Sequence, residues 1–211
     1  MPIKTFLIVR TNNAHVSLRR YATVDGGCVP GHSYHNESTI IGTCDVWKEE
    51  RKDGFRDWVY AHNAPESVDH ADPRWPTKCE YCDYLFQDND PWQITTDDIY
   101  RRTDNDTALS LRDAPEGAMY DAEWLPEAFG MGEDGRRLHV VCPGGFTWHI
   151  DGRASNCTLP DDKVHKCWVR HGVVPNITVD KDGVTCSAGG GSIIAGKYHG
   201  FLRNGEFTEN M

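Results

Sequence analysis

The chain has 211 residues, with 32 acidic and 22 basic side chains, 8 cysteines, 10 histidines and 38% apolar residues. Seven tryptophans and that apolar share exclude a fully disordered chain, and no apolar run approaches the ~18 residues of a membrane-spanning helix. A formal charge of −10 argues against a general nucleic-acid binder, which needs a basic face to displace counterions from phosphate.

The elements expected from pattern begin with a buried strand over residues 5–9 and a half-buried strand over residues 15–21, joined by a turn at Asn12-Asn13. Residues 24–39 are rich in Gly, Pro, Ser and His and read as a loop. Residues 45–60 fit a short helix broken at Gly54, and residues 63–77, with three prolines, read as irregular. A hairpin is expected where residues 98–102 and 108–112 flank the turn-prone residues 103–107. A short helix is expected over residues 120–129, stopped at Gly130, and a Gly-rich linker over residues 130–137. Three hairpins follow: residues 138–142 with 146–150, residues 176–179 with 184–186, and residues 198–203 with 206–208. The last turns at Asn204-Gly205, the strongest short-range hairpin signal.

The charge is unevenly spread. Residues 79–135 hold fifteen Asp or Glu against three Arg, a net of −12, and the rest of the chain is near neutral. No carboxylate spacing there matches a calcium loop, and a solvated face is the simplest reading. Asp180-Lys181-Asp182-Gly183 opens like a calcium loop but lacks the later ligands, so it reads as a turn.

The N-terminal ten residues carry one short apolar run, residues 6–9, against the roughly 7–15 residues of a secretory core. A reducing cytoplasm is therefore the expected compartment, where eight cysteines with ten histidines point to metal rather than disulfides. Cys79-Glu80-Tyr81-Cys82 is the clearest motif: two intervening residues let both sulfurs reach one ion from a tight turn, as in a zinc knuckle. No βαβ context supports a redox reading of the pair. Of the upstream candidates Cys28, His32, His35, Cys44 and His70, the preference of closed structural sites for thiolate favours Cys28 and Cys44 as the remaining ligands. Cys142, Cys157, Cys167 and Cys186 match no standard finger spacing; a second metal site and buried apolar thiols stand as equal readings.

Catalytic readings are weaker. Cys157 with a histidine and Asp151 lacks any local feature that fixes a triad. Asp69-His70, shortly before the Cys-x-x-Cys, resembles the core of HNH-type endonucleases. The second Cys-x-x-Cys and the later Asn and His of that family are absent, and an acidic stretch stands where phosphate contacts are needed.

The stretches Pro76-Thr77-Lys78-Cys79-Glu80-Tyr81-Cys82, Leu111-Arg112-Asp113-Ala114-Pro115-Glu116-Gly117-Ala118-Met119, Gly152-Arg153-Ala154-Ser155-Asn156-Cys157 and His199-Gly200-Phe201-Leu202-Arg203 resemble a group of small zinc-binding proteins encoded by tailed bacteriophages and prophages. That family carries no assigned activity. What the resemblance implies is origin: a phage gene product made in the bacterial host cytoplasm, with the virion as a further destination.

The expectation is therefore an α+β, mostly β protein of successive antiparallel hairpins. A loop-rich, zinc-stapled region would cover residues 1–135 and a β-hairpin domain residues 136–211. Structural zinc would be held by Cys28, Cys44, Cys79 and Cys82. The expected role is non-enzymatic, a structural or accessory phage protein that contacts capsid or other virion proteins or its own copies, with no nucleic-acid or membrane partner. The competing readings are a zinc-dependent hydrolase or degenerate HNH-like nuclease, and a host-takeover binder with an acidic face.

Overall fold

The computed structural model describes residues 2–23, 28–30, 32–50, 56–60, 70–125, 130–154, 156–162, 165–184, 186–188 and 191–209. In chain order the strands are β1 (Ile3–Lys4), β2 (Phe6–Thr23), β3 (Tyr34–Glu50), β4 (Arg56–Tyr60), β5 (Trp92–Arg102), β6 (Ala108–Ser110), β7 (Ala118–Asp121), β8 (Leu138–Val141), β9 (Thr147–His149), β10 (Val169–Val173), β11 (Asn176–Asp180), β12 (Ile193–Ala195), β13 (Tyr198–Arg203) and β14 (Glu206–Glu209). The fold is nearly all β and rich in antiparallel hairpins. Among the described residues the only helix is one 3-10 turn, Leu111–Asp113, whose Asp113 N–H donates to the Ser110 hydroxyl, so the α part of the expected class shrinks to a single turn. No helix among them is long and apolar enough to cross a membrane.

The chain forms two compact units, Arg10–Ile99 and Met1–Val9 with Tyr100–Met211. The first is inserted in sequence between the two pieces of the second, here called the frame. The boundary expected at 135/136 falls inside the frame, and residues 130–137 are more than a linker. Gly132 N–H donates to the Arg136 carbonyl (2.8 Å), and Asp134 pairs with Arg170.

In the inserted unit, β2 and β3 form a long antiparallel ladder from Asn13↔Asp45 to Thr23↔Tyr34. The turn expected at Asn12-Asn13 does not form. Phe6 and Ile8 before the pair, and Ala14, Val16, Leu18, Arg20 and Ala22 after it, are all buried. The inward parity is thus unbroken across two exposed polar residues, and a continuous ladder overrides local turn preference. The expected helix over residues 45–60 is instead the β3/β4 hairpin, paired from Val46↔Tyr60 to Glu50↔Arg56. Cys44 and Val46 are buried while Asp45 and Trp47 are exposed, a period of two rather than 3.6. Residues 51–55, Gly54 included, lie outside the described residues. Ala14, Val16, Cys44 and Val46 make the core here, with Ile41, Tyr60 and Ile94 against it.

In the frame, β7 is buried on both faces. Ala118 and Tyr120 face a cluster with Phe6, Ile8, Tyr100 and Val141, while Met119 faces one with Leu138, Val140, Ile150, Ile177, Val179 and Leu202. Phe6 and Leu7 pair parallel to Ala118 and Met119, and β7, β8 and β9 continue as an antiparallel meander. A second sheet runs β1-β14-β13-β11-β10, with β12 also on β13. The expected hairpins at residues 103–107, 143–145 and 204–205 are present. Asn204 (φ 48°) and Gly205 (φ 73°) both take the left-handed conformation that a two-residue hairpin turn requires.

Two frame expectations fail. β11 pairs with β10 across Val174-Pro175, not with residues 184–186, because Val173 and Asn176 can close a two-residue link and β10 offers a full ladder. The chain after β11 turns at residues 181–184 and leads away as a loop. The helix expected over residues 120–129 is likewise absent where described: Tyr120 and Asp121 end β7 and residues 123–125 turn. Residues 126–129 lie outside the described residues.

Candidate metal centre

The Cys79/Cys82 knuckle is a loop closed at its base. Lys78 bridges Leu85, Cys79 N–H donates to Tyr84 O (2.9 Å) and Phe86 N–H to Thr77 O (3.0 Å). Arg20 reaches up from β2 beneath it, 4% exposed. Its two terminal nitrogens donate to Pro76 O (2.9 Å) and Gln87 O (2.5 Å), one carbonyl at each end of the loop. Its guanidinium also lies over the Trp75 and Phe86 rings, at 5.1 and 5.0 Å. A β2 side chain thus sets where the two thiols sit.

Two further groups meet them. His35, 6% exposed near the start of β3, places Nδ1 3.2 Å from Cys82 Sγ, and its ring stacks on Tyr84 at 4.0 Å. Tyr84 is fixed in turn by donating its hydroxyl to Asp90 (2.9 Å). Cys28 comes from a tight turn in which its N–H donates to His32 O (3.0 Å). Its sulfur stands 3.3 Å from that of Cys82 and 3.6 Å from that of Cys79. All four ligand atoms lie within 4.8 Å of one another. Zn–S bonds of ~2.3 Å give a tetrahedral S–S edge of about 3.8 Å, close to these separations, whereas a disulfide is about 2.05 Å. None of the eight cysteines is bridged.

The surroundings favour thiolate. Burial opposes ionisation of Cys79, but the N–H groups of Tyr81 and Asn36 (both 3.4 Å from its sulfur), with His35 and Cys28, bring its pKa down to about 6. Burial and the adjacent Cys82 and Cys79 push the Cys28 thiol up to about 12. Neighbouring sulfurs cannot all ionise side by side unless a cation offsets the repulsion. A divalent ion would supply that charge and displace the remaining protons. Asn36 ties the ligand segments further: its side chain donates to Glu80 (2.7 Å), and its carbonyl accepts the Glu80 N–H (3.0 Å).

Of the four expected ligands, the structure brings Cys28, Cys79 and Cys82 together and leaves Cys44 elsewhere, with His35 in its place. Cys44 is 3% exposed in the apolar core of the inserted unit. It lies nine residues beyond His35 on β3, about 30 Å along an extended strand. The bulge opposite Val16 and Ser17, where the register passes over Ile41 of β3, shifts the parity of β3, which lets both residues point inward. Alternation alone could not have ranked them; the partner register was needed. His32 instead packs on Tyr81 (3.9 Å), and the exposed His70 stacks on Trp75 (4.0 Å). Asp69, the other half of the HNH-like pair, lies outside the described residues.

A second group, Cys157, His165, Cys167 and Cys186, also converges, again with its four ligand atoms within 4.8 Å of one another. Cys142 is not in it: fully buried in the frame core, its thiol is pushed up to about 12 by burial. Asp151 does not face Cys157 as a triad would require; it pairs with Arg170 (2.8 Å) and accepts Leu138 N–H (3.0 Å).

Several carboxylates of the acidic stretch are paired within the chain. Asp83, Asp98, Asp104, Asp106 and Asp134 pair with Lys78, Arg10, Arg102, Arg101 and Arg170. Asp180 meets His171 (3.0 Å) and accepts Asp182 N–H (2.8 Å), as a turn residue does. Against this geometry, comparison with protein-family models, curated proteins and solved structures finds no match.

Proposed function

We propose that this is a non-enzymatic, zinc-stabilised structural or accessory protein of a tailed phage or prophage. It would be made in the bacterial cytoplasm, act through contacts with capsid or other virion proteins or its own copies, and bind neither nucleic acid nor membrane. The observation that carries the reading is the Cys28/His35/Cys79/Cys82 cluster, in which four protein ligand atoms lie within 4.8 Å of one another, enough to close a zinc site without water. A catalytic zinc keeps a position for water, whereas a structural one is closed. Further support comes from an acidic stretch several of whose carboxylates pair within the chain, and from the phage-like motifs around Cys79, Leu111, Gly152 and His199.

Metal analysis with X-ray absorption tests the zinc reading: bound zinc with sulfur and nitrogen neighbours alone is expected. A light oxygen ligand at this centre would turn the reading toward a hydrolase, and metal-free folded protein would sink it. Mass spectrometry of intact particles tests the destination. Detection in infected cells with absence from particles would remove the virion role and leave the host-directed binder.

A further inference from the structure

Cys157, His165, Cys167 and Cys186 stand on three segments that no strand carries: residues 156–162 after β9, residues 165–168 before β10, and residues 186–188 beyond the turn after β11. We infer that these four side chains form a second zinc site, Cys3His and closed by protein ligands, independent of the first centre and of the role proposed above. His165 Nε2 lies 3.0 Å from Cys157 Sγ and 3.5 Å from Cys167 Sγ, and Cys186 Sγ lies 3.9 Å from Cys157 Sγ. For Zn–S near 2.3 Å and Zn–N near 2.05 Å, tetrahedral edges are about 3.8 and 3.6 Å.

Three observations beyond proximity point to an ion. First, His165 Nδ1 lies 2.6 Å from Asp162 O. A carbonyl only accepts, so Nδ1 carries the proton and the Nε2 lone pair faces the sulfurs, the outer-shell arrangement typical of a metal-bound histidine. The same carbonyl is held by Arg153 (2.8 Å).

Second, Cys186 Sγ receives the N–H groups of Thr158 (3.4 Å) and Ala188 (3.5 Å), and the Thr158 hydroxyl stands 3.3 Å away. Donors gathered round one sulfur suit a thiolate ligand. Cys142, packed among Met119, Leu138 and Val140, shows what an apolar filler looks like in the same unit.

Third, the Lys181 ammonium donates to Cys167 O (2.7 Å) and to Ala188 O, and lies 5.5 Å from the Trp168 ring centre. It ties two ligand segments together and offsets the excess negative charge of three thiolates on a divalent ion. A single disulfide would use two sulfurs and leave the third sulfur, the imidazole and the lysine unexplained. Thiolates with one imidazole in tetrahedral array select zinc among common divalent ions, and the bound ion would tie these three strandless segments to one another.

The test is zinc per full-length chain, purified under reducing conditions from zinc-supplemented culture. Two zinc ions per chain are expected. Cys79→Ser/Cys82→Ser protein should retain one, and so should Cys157→Ser/Cys186→Ser protein. Folded Cys79→Ser/Cys82→Ser protein without zinc would overturn the second site and leave the first standing. Where that variant does not fold, the intact chain decides. Two zinc ions averaging three sulfurs and one nitrogen by X-ray absorption support the site; a single zinc per chain, lost on Cys79→Ser alone, refutes it.

Discussion

Replacing Arg20 by methionine keeps a long side chain under the knuckle loop and removes its charge. Two charge-assisted hydrogen bonds go, those to Pro76 O and Gln87 O. At about 1.5–3 kcal/mol each, the gross loss is about 3–6 kcal/mol. Part returns, because Arg20 Nε is buried with no hydrogen-bond partner among the described residues, and methionine leaves no such orphan. The thioether also packs well on the Trp75 and Phe86 rings, worth about 0.3–1.5 kcal/mol. A net destabilisation of about 2–4 kcal/mol follows, concentrated where Cys79 and Cys82 are presented. Urea unfolding followed by tryptophan fluorescence measures it, and chelator competition should show faster zinc loss from the first centre. A midpoint within error of wild type, with unchanged zinc retention, would show that Arg20 does not hold the loop.

Further outcomes follow from the same geometry. Cys44→Ser should keep the full zinc content and cost about 1–3 kcal/mol for a hydroxyl buried in an apolar core, whereas Cys82→Ser should lose one zinc; metal analysis of the two variants separates them. Burial, with His139 and Arg137 nearby, depresses His149 to about 4 from 6.5, so the unfolded chain takes the proton first. Its contribution to stability is complete above pH 6.5 and drains as pH falls toward 4. His149→Phe should flatten that part of the profile in urea titrations, and an identical slope in both proteins would refute the assignment. Lys181→Met should weaken zinc at the second centre about 10–100-fold, as loss of outer-shell partners does. Competition with a chromophoric chelator in Cys79→Ser/Cys82→Ser protein reads this, and unchanged affinity would reduce Lys181 to a packing role.

What could be read from the residues alone was whatever is local. Cys79 and Cys82 declare themselves because the geometry that joins them spans four residues, and Asn204-Gly205 declares its hairpin because both residues tolerate positive φ. The fourth ligand was hidden, because choosing His35 over Cys44 depends on the β2/β3 register and one bulge. The Asn12-Asn13 pair misleads for the opposite reason: a strong local turn signal sits at exposed positions of a ladder whose partner, β3, begins at residue 34. The second cluster draws its ligands from separated loops with spacings of ten and nineteen between its cysteines, so no motif exists to find. The frame's interleaved pairing, with β7 between two cores, was equally out of reach, since one of its neighbours, β2, is distant in sequence.

The pairing of Ile3 with Phe207 and of Lys4 with Glu206 has a consequence for the order of events during synthesis. The ligands Cys28 to Cys82 of the inserted unit, and the strands that present them, are translated before residue 103. The frame, by contrast, needs its last strands before β1 has a partner. Thr5 waits as well, since its hydroxyl donates to Pro175 O and Gly205 O (2.8 and 2.9 Å). Long sequence separation makes such contacts slow to form, and nascent chains fold their early units first. The inserted unit can therefore assemble its Cys/His cluster on the ribosome, while β1 stays unpaired until β14 is made. A ribosome stalled before residue 198 would hold a chain with β1 and β12 still lacking strand partners and β11 paired on one edge only, open to protease there.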